Sequence, residues 1–270
     1  MARAVVLAGG FGTRLARPEG DVPPGGLSPA ECPKALTPLG GVPILEIILH
    51  QLRDGGFEHV TLCLFWRADL IVEHLGDGSR IGLELEYSLT ERRLGSAGPL
   101  AAVDPGSEPQ LILNCDLLTS IDFGRVLRAH RETGATATVV ALRRKSRLDY
   151  GVLELSEDRR LVRGHVEKPV VEHVISAGIN VLEPSVWRHL RAGAYLDMPT
   201  LLQTLIEEGA AVMPFLIDGE ERWIDMGRPD TYSHADEAFR REPGRFLRGS
   251  VGRGLLERVK GSNSLTGAWP

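Results

Sequence analysis

The sequence predicts an α/β protein built on a doubly wound, mixed and mainly parallel sheet, with a β-rich insertion in its second half. Apolar β-type runs alternate with amphipathic helical segments from residue 3 to residue 142. Parallel strands need crossover connections, which such an alternation supplies. After residue 142, strand-like runs follow one another with fewer helices between them, which predicts the insertion. A glycine-rich stretch at 8–14, directly after the first strand, predicts a ligand site at the edge of the sheet.

The first half is predicted to contain five strands and three helices. The strands are apolar or alternate in polarity, and the helices carry an apolar face and end at glycine. The predicted strands cover 3–8, 59–65, 83–89, 110–116 and 135–142, and the predicted helices cover 43–56, 67–78 and 121–134.

The second half is predicted to begin with two strands joined by a polar turn, within 150–169. A strand at 173–184, helical stretches near 185–192 and 199–208, the strand-like runs AVMPFLI and ERWIDMG, and a closing helix at 228–242 complete the pattern. We therefore expect one domain over 1–242. The basic, glycine-rich segment 243–270 is expected to be a disordered tail, a helix across a neighbouring subunit, or a cover for the site.

Composition excludes several classes of protein. The net charge of −5 over 270 residues gives no basic bias of the kind that nucleic-acid binders carry. Three widely spaced cysteines argue against a disulfide framework and a zinc site, and fit a reducing compartment. The N-terminal apolar run is too short for a signal peptide, and no run of about 18 apolar residues predicts a membrane span. We expect a cytoplasmic protein with no membrane partner.

The stretch AGGFGTR at 8–14 is a candidate phosphate-binding loop. Glycines let backbone N–H groups approach an anion closely, and an adjacent arginine supplies a fixed positive charge. The stretch is not a Walker loop, because Thr13 and Arg14 follow Gly12. It departs from the dinucleotide fingerprint as well, because Leu15 stands where the third glycine belongs. The alternative is a glycine-rich turn without a ligand, but Arg14 favours a triphosphate.

LAGGFGTRL and the later PKAL (33–36) resemble the signature of the sugar-nucleotide pyrophosphorylases, which are nucleoside-triphosphate:sugar-1-phosphate nucleotidyltransferases. The resemblance covers about residues 3–240 and implies a Rossmann-like fold of the glycosyltransferase-A type with a sugar-binding insertion. The region from HLGDG to LGSAGPL is most similar to the mannose-1-phosphate and D-glycero-D-manno-heptose-1-phosphate guanylyltransferases. Further matching pieces, in the family's order, are LGSAGPL (94–100), NCD (114–116), YGV (150–152), VEKP (166–169), AGINVLEP (177–184) and WIDMGRPDTY (223–232).

The resemblance implies a nucleotide-binding half at about 1–142 and a sugar-phosphate-binding half at about 143–228, closed by a helix at 229–242. Asp116 and Asp225 would hold Mg²⁺ between the α-phosphate and the sugar phosphate. Arg14 would bind the β- and γ-phosphates and the leaving pyrophosphate. Lys34 would contact the α-phosphate and the incoming sugar phosphate.

The resemblance also implies the binding residues. The attacking phosphate is ionised at neutral pH, so no general base is expected. The nucleotide would contact Leu7, Ala8, Gly9, Gly10, Gly12, Thr13, Arg14, Lys34, Gly95, Ser96, Ala97 and Asp116, with Ala8, Gly9 and 95–98 facing the base. The sugar phosphate would contact Gly151, Glu167, Lys168 and Asn180.

Two features depart from the family pattern, and two hypotheses stay open. The loop between GTRL and PK is about ten residues longer than usual, and Cys115 stands where a glycine is usual. The first hypothesis is an active, homo-oligomeric enzyme that uses GTP with a mannose- or heptose-type sugar 1-phosphate. Its substrate alternative is a thymidylyl- or uridylyltransferase acting on glucose 1-phosphate or an amino-sugar 1-phosphate. The second hypothesis is a regulatory paralogue that has the fold without catalysis.

Overall fold

A seven-stranded sheet forms the centre of the molecule, and the computed structural model describes residues 2–10, 32–217 and 219–248. The strands, in chain order, are β1 Ala2–Leu7, β2 Pro38–Leu39, β3 Val42–Pro43, β4 Phe57–Leu64, β5 Glu84–Leu89, β6 Gln110–Asn114, β7 Leu117–Thr119, β8 Ala137–Arg147, β9 Val152–Leu155, β10 Val162–Val166, β11 Val170–Leu182, β12 Val212–Leu216 and β13 Trp223–Asp225. The α-helices are α1 Ile44–Asp54, α2 Ala68–Leu75, α3 Phe123–Thr133, α4 Met198–Glu207, α5 Pro229–Arg241 and α6 Pro243–Phe246. Short 3₁₀ helices cover Lys34–Leu36, Gly98–Ala102 and Pro184–His189.

The strand order in the large sheet is β12-β8-β11-β6-β1-β4-β5. Every neighbouring pair is parallel except the two that involve β11, which runs antiparallel to β6 and to β8. The predicted mixed and mainly parallel doubly wound sheet is therefore confirmed. Because β11 runs opposite to both of its neighbours, β6 and β8 are parallel to each other and their carboxyl ends lie at the same edge of the sheet.

Both faces of this sheet are covered, which is why its central strands are almost wholly apolar. In β1, Ala4 and Val6 face a cluster that includes buried side chains of α1, α3 and α5. Val5 faces the opposite way, into a second cluster that includes Leu201 and Leu205 of α4. Alternate side chains of one strand thus belong to two cores.

The β-rich insertion begins as an extension of the large sheet. β8 continues five residues past the predicted end at 142, and Leu142 to Arg147 pair with Ile175 to Val170 of β11. The two strands predicted within 150–169 are present as the antiparallel pair β9–β10. The structure therefore has a two-stranded hairpin inserted between the long strands β8 and β11.

The chain packs on the core beyond the predicted domain end at 242. Phe246 and Leu247 are each 2% exposed, and the Phe246 ring lies 6.0 Å from that of Phe239 in α5. Apolar side chains at these positions extend the core past α5, and the predicted domain limits stay a prediction.

One correction concerns the helix predicted at 185–192, which is the shorter 3₁₀ helix Pro184–His189. Residues 249–270, which hold most of the predicted tail, lie outside the described residues.

Across the described ranges, no helix combines the length and apolar character needed to cross a membrane.

Candidate active site

A cleft of about 380 Å³ opens at the carboxyl ends of β1, β4 and β6. Ligands of open α/β sheets bind at this edge, where successive strands end and their connections diverge. Seven of the predicted nucleotide-binding residues line it: Leu7, Gly9, Gly10, Lys34, Gly95, Ser96 and Asp116. The other lining residues are Cys63, Leu64, Arg93, Leu94, Pro99, Asn114, Cys115, Tyr195 and Asp197.

The described part of the glycine loop leaves β1 along the floor of the cleft. The Ala8 N–H donates to the Cys63 carbonyl at 2.9 Å, and Ala8 is buried against the first core cluster. A Cβ added to Gly9 would lie 3.1 Å from the Cβ of Phe65, so packing alone favours glycine there. Nothing lies within 4 Å of a Cβ at Gly10, which is exposed to the cleft. Gly12, Thr13 and Arg14, together with the long loop at 16–31, lie outside the described residues.

Lys34 and Asp116 form an ion pair at the end of β6. The Lys34 ammonium donates to Oδ2 of Asp116. The Lys34 side chain is 11% exposed and that of Asp116 is 26% exposed, so the pair is partly shielded from water. Lys34 begins the 3₁₀ turn Lys34–Leu36, which packs against α1. The cleft therefore holds one cation and one carboxylate side by side.

The short β7–β13 ladder brings the backbone of Asp225 beside that of Asp116, while the Asp225 residue is exposed and is not among those that line the cleft. It lies opposite Leu117, the residue that follows Asp116, and the N–H of Met226 donates to the Asp116 carbonyl at 2.9 Å. The Gly227 N–H donates to Oδ1 of Asp225 at 2.8 Å, which orients that carboxylate. Two carboxylates that are far apart in sequence thus project from neighbouring backbone positions.

The chemistry of this donor set fits Mg²⁺. Magnesium in phosphoryl-transfer sites takes one or two carboxylates and completes its shell with phosphate oxygens and water. Within the described ranges, no group of three or more His, Cys, Asp or Glu side chains is arranged to hold a metal ion. Asp116 and Asp225 are the two carboxylates that would hold such an ion.

Cys115 occupies the position before Asp116 as a buried apolar residue. Burial, with a smaller contribution from the Asp116 charge, raises the pKa of its thiol to about 12. Burial likewise raises the pKa of the Cys63 thiol to about 12. Both thiols are protonated at neutral pH, so neither is a nucleophile in the cleft.

The loop 94–98 is fastened to the segment before α4. The N–H groups of Ala97 and Gly98 both donate to the Leu196 carbonyl, at 2.8 and 2.9 Å, and the Leu196 N–H donates to the Leu94 carbonyl at 2.9 Å. Gly95 has φ +78°, and a Cβ there would overlap the carbonyl oxygen of Leu196. Small residues in this loop are therefore required by backbone packing. Ala97 is wholly buried in the second core cluster.

The predicted sugar-phosphate residues lie apart from the cleft lining. Gly151, Glu167 and Lys168 are exposed around the β9–β10 hairpin. A Cβ at Gly151 would overlap Nε2 of His165 and lie 2.9 Å from Oε2 of Glu167. Gly151, His165 and Glu167 therefore lie on one face of the hairpin. Asn180 is 4% exposed within β11.

Arg93, Tyr195 and Asp197 are charged or polar cleft residues that lie outside the motifs quoted from the sequence. Arg93 directly precedes the LGSAGPL motif, and this neighbourhood was the one feature of the sequence that indicated a place in the cleft. Tyr195 and Asp197 meet the cleft only because the segment before α4 packs on the loop 94–98. No local pattern marks a contact between segments about a hundred residues apart.

Comparison with known proteins gives a consistent result. The nucleotidyl transferase family model matches residues 3–242. The chain is 30% identical over 246 residues to a probable mannose-1-phosphate guanylyltransferase 3 of Oryza sativa subsp. japonica, covering 85% of this chain and 62% of that protein. It is 29% identical over 254 residues to a UTP–glucose-1-phosphate uridylyltransferase of Synechocystis, covering 86% of this chain and 62% of that one. The chain spans about three fifths of the length of these relatives.

Solved structures share the fold. The crystal structure of HddC from Yersinia pseudotuberculosis superimposes with a TM-score of 0.65 at 22% identity, covering 88% of this chain and 100% of that chain. The same protein complexed with GMP-PN gives a TM-score of 0.62 at 20% identity.

Proposed function

Because the chain belongs to the nucleotidyl transferase family, we propose that it transfers a nucleoside monophosphate from a nucleoside triphosphate to a sugar 1-phosphate and releases pyrophosphate. The observation that carries this proposal is the Lys34–Asp116 ion pair in the cleft, beside which the β7–β13 ladder places the backbone of Asp225. Both reactants are anionic, so the reaction needs charge neutralisation and in-line positioning more than it needs a nucleophilic side chain.

Each residue has a role in this proposal. The Lys34 ammonium neutralises charge on the α-phosphate and the incoming sugar phosphate. Asp116 and Asp225 hold Mg²⁺, which when bound supplies a further positive charge shared by the reacting phosphates. Arg14, by resemblance to the family, binds the leaving pyrophosphate. The attacking sugar phosphate is ionised, so the chain needs no base to deprotonate it.

The proposed substrates are GTP and a mannose- or heptose-type sugar 1-phosphate. A mannose-1-phosphate guanylyltransferase among the relatives, and HddC complexed with GMP-PN among the solved structures, support this choice. A uridylyltransferase acting on glucose 1-phosphate is the second candidate, because similarity to the Synechocystis enzyme is nearly as high. Gly151, Glu167, Lys168 and Asn180 remain the predicted sugar-phosphate residues, and a cytoplasmic homo-oligomer remains a prediction.

The reaction is tested by a pyrophosphatase-coupled phosphate assay that scans the four nucleoside triphosphates against sugar 1-phosphates in the presence of Mg²⁺. We expect the highest turnover with GTP and a mannose- or heptose-type substrate. If no pair of substrates released phosphate, the proposed enzyme activity would be contradicted and the regulatory paralogue would be the remaining hypothesis. Highest turnover with UTP and glucose 1-phosphate would select the second candidate.

The metal role is tested by Asp116→Asn and Asp225→Asn. Each change removes one carboxylate charge while keeping its size, and we expect kcat to fall at least about a hundredfold, as on loss of one strong transition-state contact. Asp230→Asn is the control, because that carboxylate is 67% exposed at the start of α5 and pairs with Arg228 outside the cleft. Near-normal turnover in either test variant would contradict the metal role of that residue.

A further inference from the structure

The carboxylate of Asp197 joins two segments at the mouth of the cleft. Asp197 is the N-cap residue of α4, yet its side chain makes no capping hydrogen bond to that helix. Its Oδ1 instead accepts from the Ser96 N–H at 3.1 Å and from the Ser96 hydroxyl at 3.4 Å. The Ser96 oxygen in turn accepts from the N–H of Met198, the first residue of α4, at 2.8 Å. Ser96 thus caps α4, and its hydroxyl is already engaged within the protein.

Tyr195 forms a hydrogen bond to the same carboxylate. Its hydroxyl donates to Oδ2 of Asp197 at 2.7 Å, while its side chain is 66% exposed beside the cleft. This hydrogen bond raises the pKa of the Tyr195 hydroxyl, and the positive charge of Arg93 opposes the rise. Arg93 lines the same cleft as Tyr195. An oriented aromatic ring and a guanidinium are placed together at one wall of the cleft.

This wall is on the β4 side of the cleft, away from the acidic end. The Thr90 N–H, at the start of the segment that carries Arg93, donates to the Leu64 carbonyl at the end of β4. Asp116 and Lys34 lie at the end of β6. In the sheet, β1 separates β6 from β4, so the two ends lie two inter-strand spacings apart, or about 10 Å. A nucleotide with its α-phosphate at Lys34 would extend its base toward Arg93 and Tyr195.

We propose that Arg93 and Tyr195 read the base and select guanine, an inference that rests on the proposed nucleotidyl transfer. The Tyr195 ring stacks on the purine. The Arg93 guanidinium donates two hydrogen bonds to the O6 and N7 atoms of guanine, which are adjacent acceptors that a guanidinium fork matches. Adenine presents a donor beside N7, and pyrimidines have no second ring, so neither offers this pair of acceptors.

The test is equilibrium titration of GTP and of UTP, each with Mg²⁺ and without sugar phosphate, against the wild-type protein and Arg93→Leu. We expect Arg93→Leu to weaken GTP binding about 10- to 100-fold and to change UTP binding less than about threefold, because a bidentate contact discriminates between bases by about that factor. Arg92→Leu is the matched control, since Arg92 donates to the Gly193 carbonyl and is not part of the cleft lining.

Three further variants separate the contributions of the positive charge, the guanidinium fork and the aromatic ring. Arg93→Lys keeps the positive charge without the fork, and we expect it to lose most of the preference for GTP. Tyr195→Ala removes the ring, and we expect weaker binding of both nucleotides, whereas Tyr195→Phe keeps the ring and binding close to wild type. Thermal unfolding of each variant without nucleotide identifies any that fail to fold.

Three outcomes would overturn the inference. An equal loss of GTP and UTP affinity in Arg93→Leu would make Arg93 a phosphate contact. Unchanged affinities for both nucleotides in that variant, or a wild-type protein with no preference for GTP, would remove Arg93 from base selection. Failure of the transfer assay with every sugar 1-phosphate, alongside an Arg93-dependent preference for GTP, would instead overturn the proposed function and leave base reading intact.

Discussion

At the scale of single residues, Glu46 carries a negative charge in a partly buried position between two histidines. Its Oε2 lies 3.2 Å from Nε2 of His74, and its Oε1 lies 3.9 Å from Nε2 of His50. Burial by itself would raise the pKa of Glu46, but hydrogen bonding and the charge of the two histidines outweigh burial and lower it to about 2. This carboxylate is therefore a stabilising charge that depends on pH.

The pH dependence has a definite sign. Because the folded-state pKa of Glu46 is below the ordinary value of 4.5 for a glutamate, the stabilisation is complete above about pH 4.5 and is lost as the pH falls toward 2. We expect the difference in unfolding free energy between wild type and Glu46→Gln to be at most about 3 kcal/mol above pH 5, and to shrink below pH 4.5. Urea titrations at pH 6, 5, 4 and 3 measure it.

The matched control is Glu84→Gln. Glu84 also pairs with a histidine, His59, at 2.9 Å, but its side chain is 67% exposed. Solvent screening makes exposed pairs weak, so this variant should differ little from wild type at every pH. A difference for Glu46→Gln that does not change between pH 6 and pH 3 would contradict the assignment of the effect to this carboxylate.

At this scale, short motifs indicated which side chains come together at the cleft, and the binding roles predicted for those residues stay predictions. Lys34 lies within the motif PKAL and Asp116 ends the motif NCD, and both residues line the cleft. The motif pieces did not show which residues of the loop 94–98 face the cleft, because Ala97 turns into the second core cluster. Tyr195 has no motif around it, and its position depends on a carboxylate and a loop folded against it.

At the scale of elements, Gly95 decides how the loop 94–98 can pack. Its φ of +78° is unfavourable for other residues, and a Cβ would lie 2.8 Å from Oδ1 of Asp197 as well as overlapping the Leu196 carbonyl. Gly134, the C-cap of α3, has a similar φ of +62° with nothing within 4 Å of a Cβ. The two glycines share the same backbone strain and differ in crowding.

Gly95→Ala should therefore destabilise the protein more than Gly134→Ala. We expect the control variant to cost about 1 kcal/mol for the left-handed conformation, and the Gly95 variant to cost at least about 2 kcal/mol, because the clash is with backbone. Urea unfolding measures both. Nucleotide affinity should fall in Gly95→Ala alone, and equal unfolding free energies for the two variants would rule out crowding as the reason for this glycine.

Element limits were predictable where local chemistry marks them. α3 was expected at 121–134 and is Phe123–Thr133, because Asp122 accepts from the Arg125 N–H at its start and Gly134 ends it. The extension of β8 through 143–147 was not predictable. Its sequence RRKSR has no apolar alternation, and it is a strand because β11 pairs with it. Pairing between distant segments overrides local propensity there.

At the scale of the whole molecule, one sheet is shared by two apolar layers. The Trp223 indole N–H donates to the Ala177 carbonyl at 2.9 Å, and Trp223 packs on the first core cluster. The Trp187 indole donates to the Leu100 and Val103 carbonyls, both at 3.0 Å, and Trp187 packs on the second. Each tryptophan therefore reports on one face of the sheet.

These probes test the prediction that the chain forms a single domain. Leu201 is 1% exposed in the second cluster, and Leu201→Ala should lower the free energy of unfolding by about 2–5 kcal/mol. In variants that keep only Trp187 or only Trp223, the fluorescence transitions in urea should shift together, because a small cooperative unit unfolds as a whole. The exposed neighbour Thr200→Ala is the control. A shift seen by Trp187 but not by Trp223 would divide the chain into two units.

The β7–β13 ladder also has a consequence during protein synthesis. β6 and β7 leave the ribosome with Asp116, whereas β13 and Asp225 follow only after the insertion and α4 have been made. At roughly 5–20 residues per second, the carboxylate of Asp116 waits roughly 5 to 20 seconds for its neighbour. A nascent chain released before β13 thus has the residues that line the cleft, the last of them Asp197, without the second carboxylate. Asp225 joins Asp116 only after every residue of that lining has been synthesised.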